Sequence, residues 1–163
     1  MSLLNWSLAI AAAIHISEEF AFPGGFKTWY LAYKPEIARS VSNRFLVFIN
    51  TVLIVFSITV ALAMYFPNGN GVAAWLTLAA LLFSNAIFHI VGAVRTRQYS
   101  PGMISGIVLY IPLAIYGFLH FVRSGQASIG TAFFALLIGG SYHFIAYLNH
   151  RRRASSVSTE AAA

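Results

Sequence analysis

The chain has 163 residues, of which 59% are hydrophobic and only 9% charged, with a mean hydropathy of +0.75. A soluble domain carries about 25% charged residues, so this chain has too few polar groups to cover a surface in water, and a soluble globular class is excluded. Its formal charge of +6 does not point to nucleic acid, because Lys and Arg fall between apolar runs and form no basic face with interleaved aromatics.

Crossing the hydrocarbon core takes about 20 apolar residues as a helix, and five runs of that kind follow one another. The first, Leu3 to Phe22, is apolar up to His15. No basic stretch precedes it, and His15, Glu18 and Glu19 stand where a signal peptide carries small residues for cleavage, so a membrane helix is expected. Residues 23–43 are different. They mix Trp29, Tyr30 and Tyr33 with Lys27, Lys34 and Arg39, which suits a helix or loop lying at the headgroups. The second run, Arg44 to Phe66, ends at a turn over Pro67, Asn68, Gly69, Asn70 and Gly71. The third runs from Val72 to Val94, before Arg95 and Arg97. Ser100 as N-cap and Pro101 at the first helical position predict the start of the fourth, Met103 to Val122. The fifth, Ile129 to Asn149, precedes a basic tail over residues 151–163 that is expected to be disordered. Only helices satisfy their own backbone within lipid at this spacing, so residues 1–150 read as one all-α polytopic bundle of about five transmembrane helices.

Five spans put Lys27, Lys34, Arg39, Arg44, Arg95, Arg97 and Arg151 to Arg153 on one side and Arg123 alone on the other. Nine cations against one predict a bacterial inner (plasma) membrane protein with its N-terminus outside and its C-terminus cytoplasmic. His15, Glu18, Glu19, Asn50, Asn85, His89 and His143 then fall in the cytoplasmic half of their helices, with His120 at the far end and His150 at the tail. At about 100° per residue, Glu18 and Glu19 flank His15 on one face, while Asn85 and His89 stand one turn apart, as do His143 and Tyr147. Ionisable groups within the membrane are costly and serve a purpose as a rule, whereas Asn50 and Asn85 also suit plain interhelical hydrogen bonds.

His15-Ile16-Ser17-Glu18-Glu19 resembles the name-giving motif of the HXXEE-domain membrane proteins, and Asn85-Ala86-Ile87-Phe88-His89, Arg95 and Tyr99-Ser100-Pro101-Gly102 resemble that family's later Asn/His and SPG motifs. The resemblance implies a small membrane protein whose activity is suspected from the motif, a metal-dependent hydrolase being the common expectation.

His nitrogen and Glu oxygen are ligands for Zn, Fe or Mn, and the chain has no cysteine to offer a thiolate, a nucleophilic thiol or a disulfide. A metal at His15, Glu19, His89 and His143 leaves Glu18 as general base, with Asn50 and Asn85 orienting ligands or binding an oxyanion, and Arg95 pairing with Glu18, Glu19 or an anionic substrate group. The same residues also suit metal-free acid–base chemistry, such as isomerisation or cyclisation of a terpenoid-like substrate. The expected partners are the lipid bilayer and an apolar small molecule. The alternatives are a small transporter or proton relay, against which the acidic groups lie toward one side, and a haem protein using two of His15, His89 and His143 as axial ligands.

Overall fold

Backbone amides in lipid must find their partners within their own segment, and the apolar runs fold as helices throughout. A computed structural model of the chain describes residues 3–21, 25–38, 41–66 and 70–160, the side chains of 37–38 and 153–160 excepted. In chain order the helices are α1 (Leu3–Ala21), α2 (Gly25–Tyr33), α3 (Pro35–Ala38), α4 (Asn43–Ala63), α5 (Asn70–Thr96), α6 (Met103–Ser105), α7 (Ile111–Arg123), α8 (Ile129–Gly140) and α9 (Tyr142–Glu160). A π-helical segment, Gly106–Tyr110, joins α6 to α7 into one rod. It ends just before Pro112, whose missing N–H removes an ordinary helix bond to the carbonyl four residues back.

Among the described residues, four helices are long and apolar enough to cross a membrane: Asn43–Ala63, Asn70–Thr96, Met103–Arg123 and Ile129–Arg152. The first of the five expected runs, α1, is a bundle member but falls outside this set, because His15, Glu18 and Glu19 fill its last two turns. Its 19 residues span about 28 Å, close to the thickness of the hydrocarbon core.

Helix α5 is the axis of the bundle, packing on α1, α4, α7, α8 and α9, with Trp75, Leu76, Leu78, Ala79 and Ala86 fully buried. Glycines allow the closest approaches. A Cβ on Gly139 of α8 would stand 2.2 Å from the Thr77 carbonyl oxygen, and one on Gly117 of α7 would stand 2.0 Å from the Trp75 ring. Outward, Val47, Phe48, Val55, Phe133, Phe134 and Ile138 are exposed, the kind of surface that lipid covers.

Within 23–43, α2 is not a belt lying on the headgroups alone. Trp29 and Tyr30 are buried with Val41, against Phe88 of α5, and Trp29 lies on α5 at Gly92, where a Cβ would come within 2.3 Å of its ring. Residues 22–24 and 39–40 lie outside the described ones, as do residues 67–69 of the expected turn, and α5 already begins at Asn70. Where composition predicts a disordered tail from residue 151, α9 continues to Glu160, over a stretch that holds no Gly or Pro to stop it; residues 161–163 are outside the described ones.

Candidate functional site

Positions i and i+4 share a helix face, so α1 turns His15 and Glu19 together toward α5. There His89 meets them. Nε2 of His15 is 3.5 Å and Nε2 of His89 3.2 Å from the same carboxylate oxygen, Oε1 of Glu19. One ligand atom from each residue lies within 4.8 Å of the others, and all three side chains are buried. Both nitrogens are at ion-pair distance from the carboxylate, yet neither makes a hydrogen bond to it or to any other described group.

The far nitrogens explain how the rings are held. Nδ1 of His15 is 2.9 Å from Oγ of Ser105, and Nδ1 of His89 is 2.8 Å from Oγ of Ser100. The Ser105 hydroxyl donates to the Gly102 carbonyl at 3.2 Å, so it accepts from His15 Nδ1–H. With the ring's proton on Nδ1, Nε2 of His15 holds a lone pair 3.5 Å from Oε1 of Glu19. A lone pair facing a buried carboxylate is unfavourable unless a proton or a cation lies between them. For ligand bonds of about 2.0–2.1 Å, tetrahedral coordination separates ligand atoms by about 3.3–3.4 Å. The two nitrogen–oxygen separations, 3.2 and 3.5 Å, match that spacing, and the three ligand atoms lie within 4.8 Å of one another.

The loop 97–102 closes the site. Gly102 has φ of +99°, and a Cβ there would come 2.7 Å from Cε1 of His15 and 3.0 Å from Cε1 of His89. Aromatic rings complete the enclosure: Tyr110 lies 4.6 Å from the His15 ring, and Trp29 stacks on His89 at 5.7 Å.

Glu18 is elsewhere. Its Oε1 accepts from the Gly102 N–H at 3.0 Å, the Ile104 N–H at 3.1 Å and the Tyr99 hydroxyl, while Oε2 accepts from the Ser105 N–H at 2.8 Å. An anion at a helix N-terminus satisfies amides that have no partner within the helix, so Glu18 fastens the start of α6 to α1. Burial, and then the bond to Glu18, hold the Tyr99 hydroxyl above the ordinary tyrosine range, which keeps it a donor. Ser100, expected from the sequence to be the N-cap, does not cap the helix. The helix starts after Gly102, and the Ser100 hydroxyl turns to His89 instead.

Asn50, Asn85 and His143 line a cavity of about 460 Å³ between α4 and α9, and Glu19 forms part of its wall. His143 stacks on Phe88 at 5.0 Å and stands outside the His15–Glu19–His89 group. Its Nε2 and Oδ1 of Asn85 are buried with no hydrogen-bond partner among the described residues. Arg95 is exposed in a second depression with Lys34 and Glu36, and among the described residues no ion pair joins it to Glu18 or Glu19. His120 stacks on Tyr116, and His150 meets the edge of Phe45. Sequence reasoning passes over Ser105 and the nearness of Trp29 and Tyr110; nothing in their local pattern marks them.

The model of a family described as "Protein of unknown function with HXXEE motif" matches residues 6–117. That range holds His15, Glu18, Glu19, His89, Ser100 and Ser105, and leaves out His143. No curated protein and no solved structure matches the chain.

Proposed function

The chain belongs to the HXXEE family, and we propose that it is an intramembrane metalloenzyme that holds one divalent ion at His15, Glu19 and His89 and acts on an apolar substrate in the adjoining cavity. The carrying observation is the pair of buried imidazole Nε2 atoms that converge on one Glu19 oxygen without a hydrogen bond, each ring fixed by a serine at Nδ1. Nitrogen and carboxylate donors suit Zn, Fe or Mn. When bound, such an ion supplies Lewis acidity, the chemistry of hydrolysis at a carbonyl.

The other residues hold and orient. Ser100 and Ser105 set the ring orientations, and Glu18 pins the loop that carries them. Asn85 Oδ1 and His143 Nε2, buried in the cavity wall with no hydrogen-bond partner among the described residues, face a substrate as hydrogen-bonding groups. Apolar walls exclude water. The contact between the His15 and His89 rings, 5.1 Å between centroids, leaves no gap for a macrocycle and weighs against haem held by that pair. With α1 as a fifth span, the distribution of cations orients the protein with its N-terminus outside and the site in the cytoplasmic half.

Elemental mass spectrometry of the detergent-purified full chain, prepared without chelators, tests the reading. The expected result is about one Zn, Fe or Mn per chain, lost in Glu19→Gln and in His89→Ala and kept in Asn50→Ala. Absence of metal, or equal content in Glu19→Gln, would falsify it. The buried carboxylate would then share a proton with the imidazoles, and acid–base isomerisation or cyclisation would take its place.

A further inference from the structure

The cavity beside Glu19 adjoins a second depression near α2. Tyr33, Lys34 and Tyr147 line both this cavity and the second depression, which is of similar volume, about 450 Å³. The two spaces differ in chemistry. Phe26, Phe45, Leu46, Leu53 and Phe56 wall the first, and along α4 the lining from Phe45 to Phe56 extends about 16 Å. Lys34, Arg95, Glu36, Thr96 and Gln98 wall the second.

Two cations and one carboxylate share that depression, which leaves an excess positive charge at the mouth of an apolar chamber. The Lys34 ammonium rests 4.2 Å from the Tyr147 ring centroid and 5.3 Å from that of Tyr33, and among the described residues no carboxylate lies within ion-pair distance of it. Burial holds it below the ordinary lysine range; Glu36 opposes this and Arg95 adds to it. An anion entering between Lys34 and Arg95 relieves their repulsion and gains charge-assisted hydrogen bonds. A volume of about 460 Å³ is of the size that holds a small ligand, here one apolar chain.

We infer that the site takes an anionic amphiphile with a single apolar chain: its headgroup sits between Lys34 and Arg95, its chain fills the cavity between α4 and α9, and the polar linkage between them comes to lie beside Glu19. The last part rests on the metalloenzyme reading; the headgroup site and the chain site do not. Residues of α1, α2, α3, α4, α5 and α9 and of the α2–α3 junction line the two spaces, and their distinguishing feature is a charged depression set beside an apolar cavity.

Native mass spectrometry of the detergent-purified full chain tests this with lysophosphatidate, lysophosphatidylcholine of the same chain length and inorganic phosphate as probes. Lysophosphatidate is expected to bind about tenfold tighter than lysophosphatidylcholine, as one or two charge-assisted bonds allow. Lys34→Gln with Arg95→Gln removes the preference, Lys34→Arg keeps it, and Lys34→Gln alone reads the same loss where the double variant does not fold. Equal binding of the two lipids, or a preference that survives the double substitution, overturns the inference. Inorganic phosphate binding as tightly as lysophosphatidate overturns the role of the chain. A preference found in a protein that proves free of metal leaves the headgroup site standing while the metal reading falls.

Discussion

Helix α5 meets α8 at backbone distance, whereas α4 and α9 face each other across a cavity. Side-chain size separates the two cases. Gly139 brings α8 against the backbone of Thr77 and the methyl of Ala80, with Ala132 and Ala135 buried on the same face of α8. Toward α9, α4 turns Phe45, Leu46, Ile49, Leu53 and Phe56, which hold the helices apart and leave volume. In lipid no hydrophobic force draws helices together, so small residues decide where they close. The candidate metal centre adjoins the open region: His15 and His89 are buried, and Glu19 reaches the cavity wall.

The largest effect is expected where closure is tightest. Gly139→Leu puts a side chain into the Thr77 carbonyl and costs about 3 kcal/mol or more in unfolding of the detergent-purified protein. Ile49→Phe, an enlargement on the cavity wall, is expected to stay within about 1 kcal/mol. Equal costs would break the contrast between the two regions.

Gly102→Ala comes next. With φ of +99° and His15 Cε1 only 2.7 Å from the added Cβ, it costs about 2 kcal/mol and weakens metal binding. Gly125→Ala has the same kind of backbone, φ of +73°, but nothing within 4 Å, so about 1 kcal/mol and unchanged metal content are expected. Thermal melts beside metal analysis separate backbone strain from the clash with the imidazole.

The smallest effect on folding belongs to the serines. Ser100→Ala and Ser105→Ala each remove one hydrogen bond to a histidine, about 1 kcal/mol, and are expected to loosen the metal about 10- to 100-fold in competition with a chelator. Unchanged metal affinity in both would mean that packing by Trp29 and Tyr110 alone orients the rings.

Part of the site is legible in the sequence. His15 and Glu19 share a face by spacing, and His89 stands at a matching depth on α5. Depth also argues for His143, and a place just below the site for Arg95, and there position along the helix is not enough. Counting residues places a side chain along a helix axis, but the direction it faces at that height depends on which helices are neighbours. His143 shares the depth yet stacks on Phe88, and Arg95 points to the Lys34 depression. The two glutamates show the same limit at a single step: adjacent residues differ by about 100° in direction, so Glu19 enters the cluster while Glu18 binds the start of α6.

Membrane class, helical architecture and the presence of a His/Glu motif are determined by the sequence alone, because apolar run length, scarcity of charge and i, i+4 spacing are local properties of the chain. Only the tertiary structure decides that His89 joins His15 and Glu19, that Ser100 and Ser105 hold the two rings, and that a cavity opens between α4 and α9. Each of these requires residues far apart in the chain to meet, and close packing of small side chains around α5 determines which of them do.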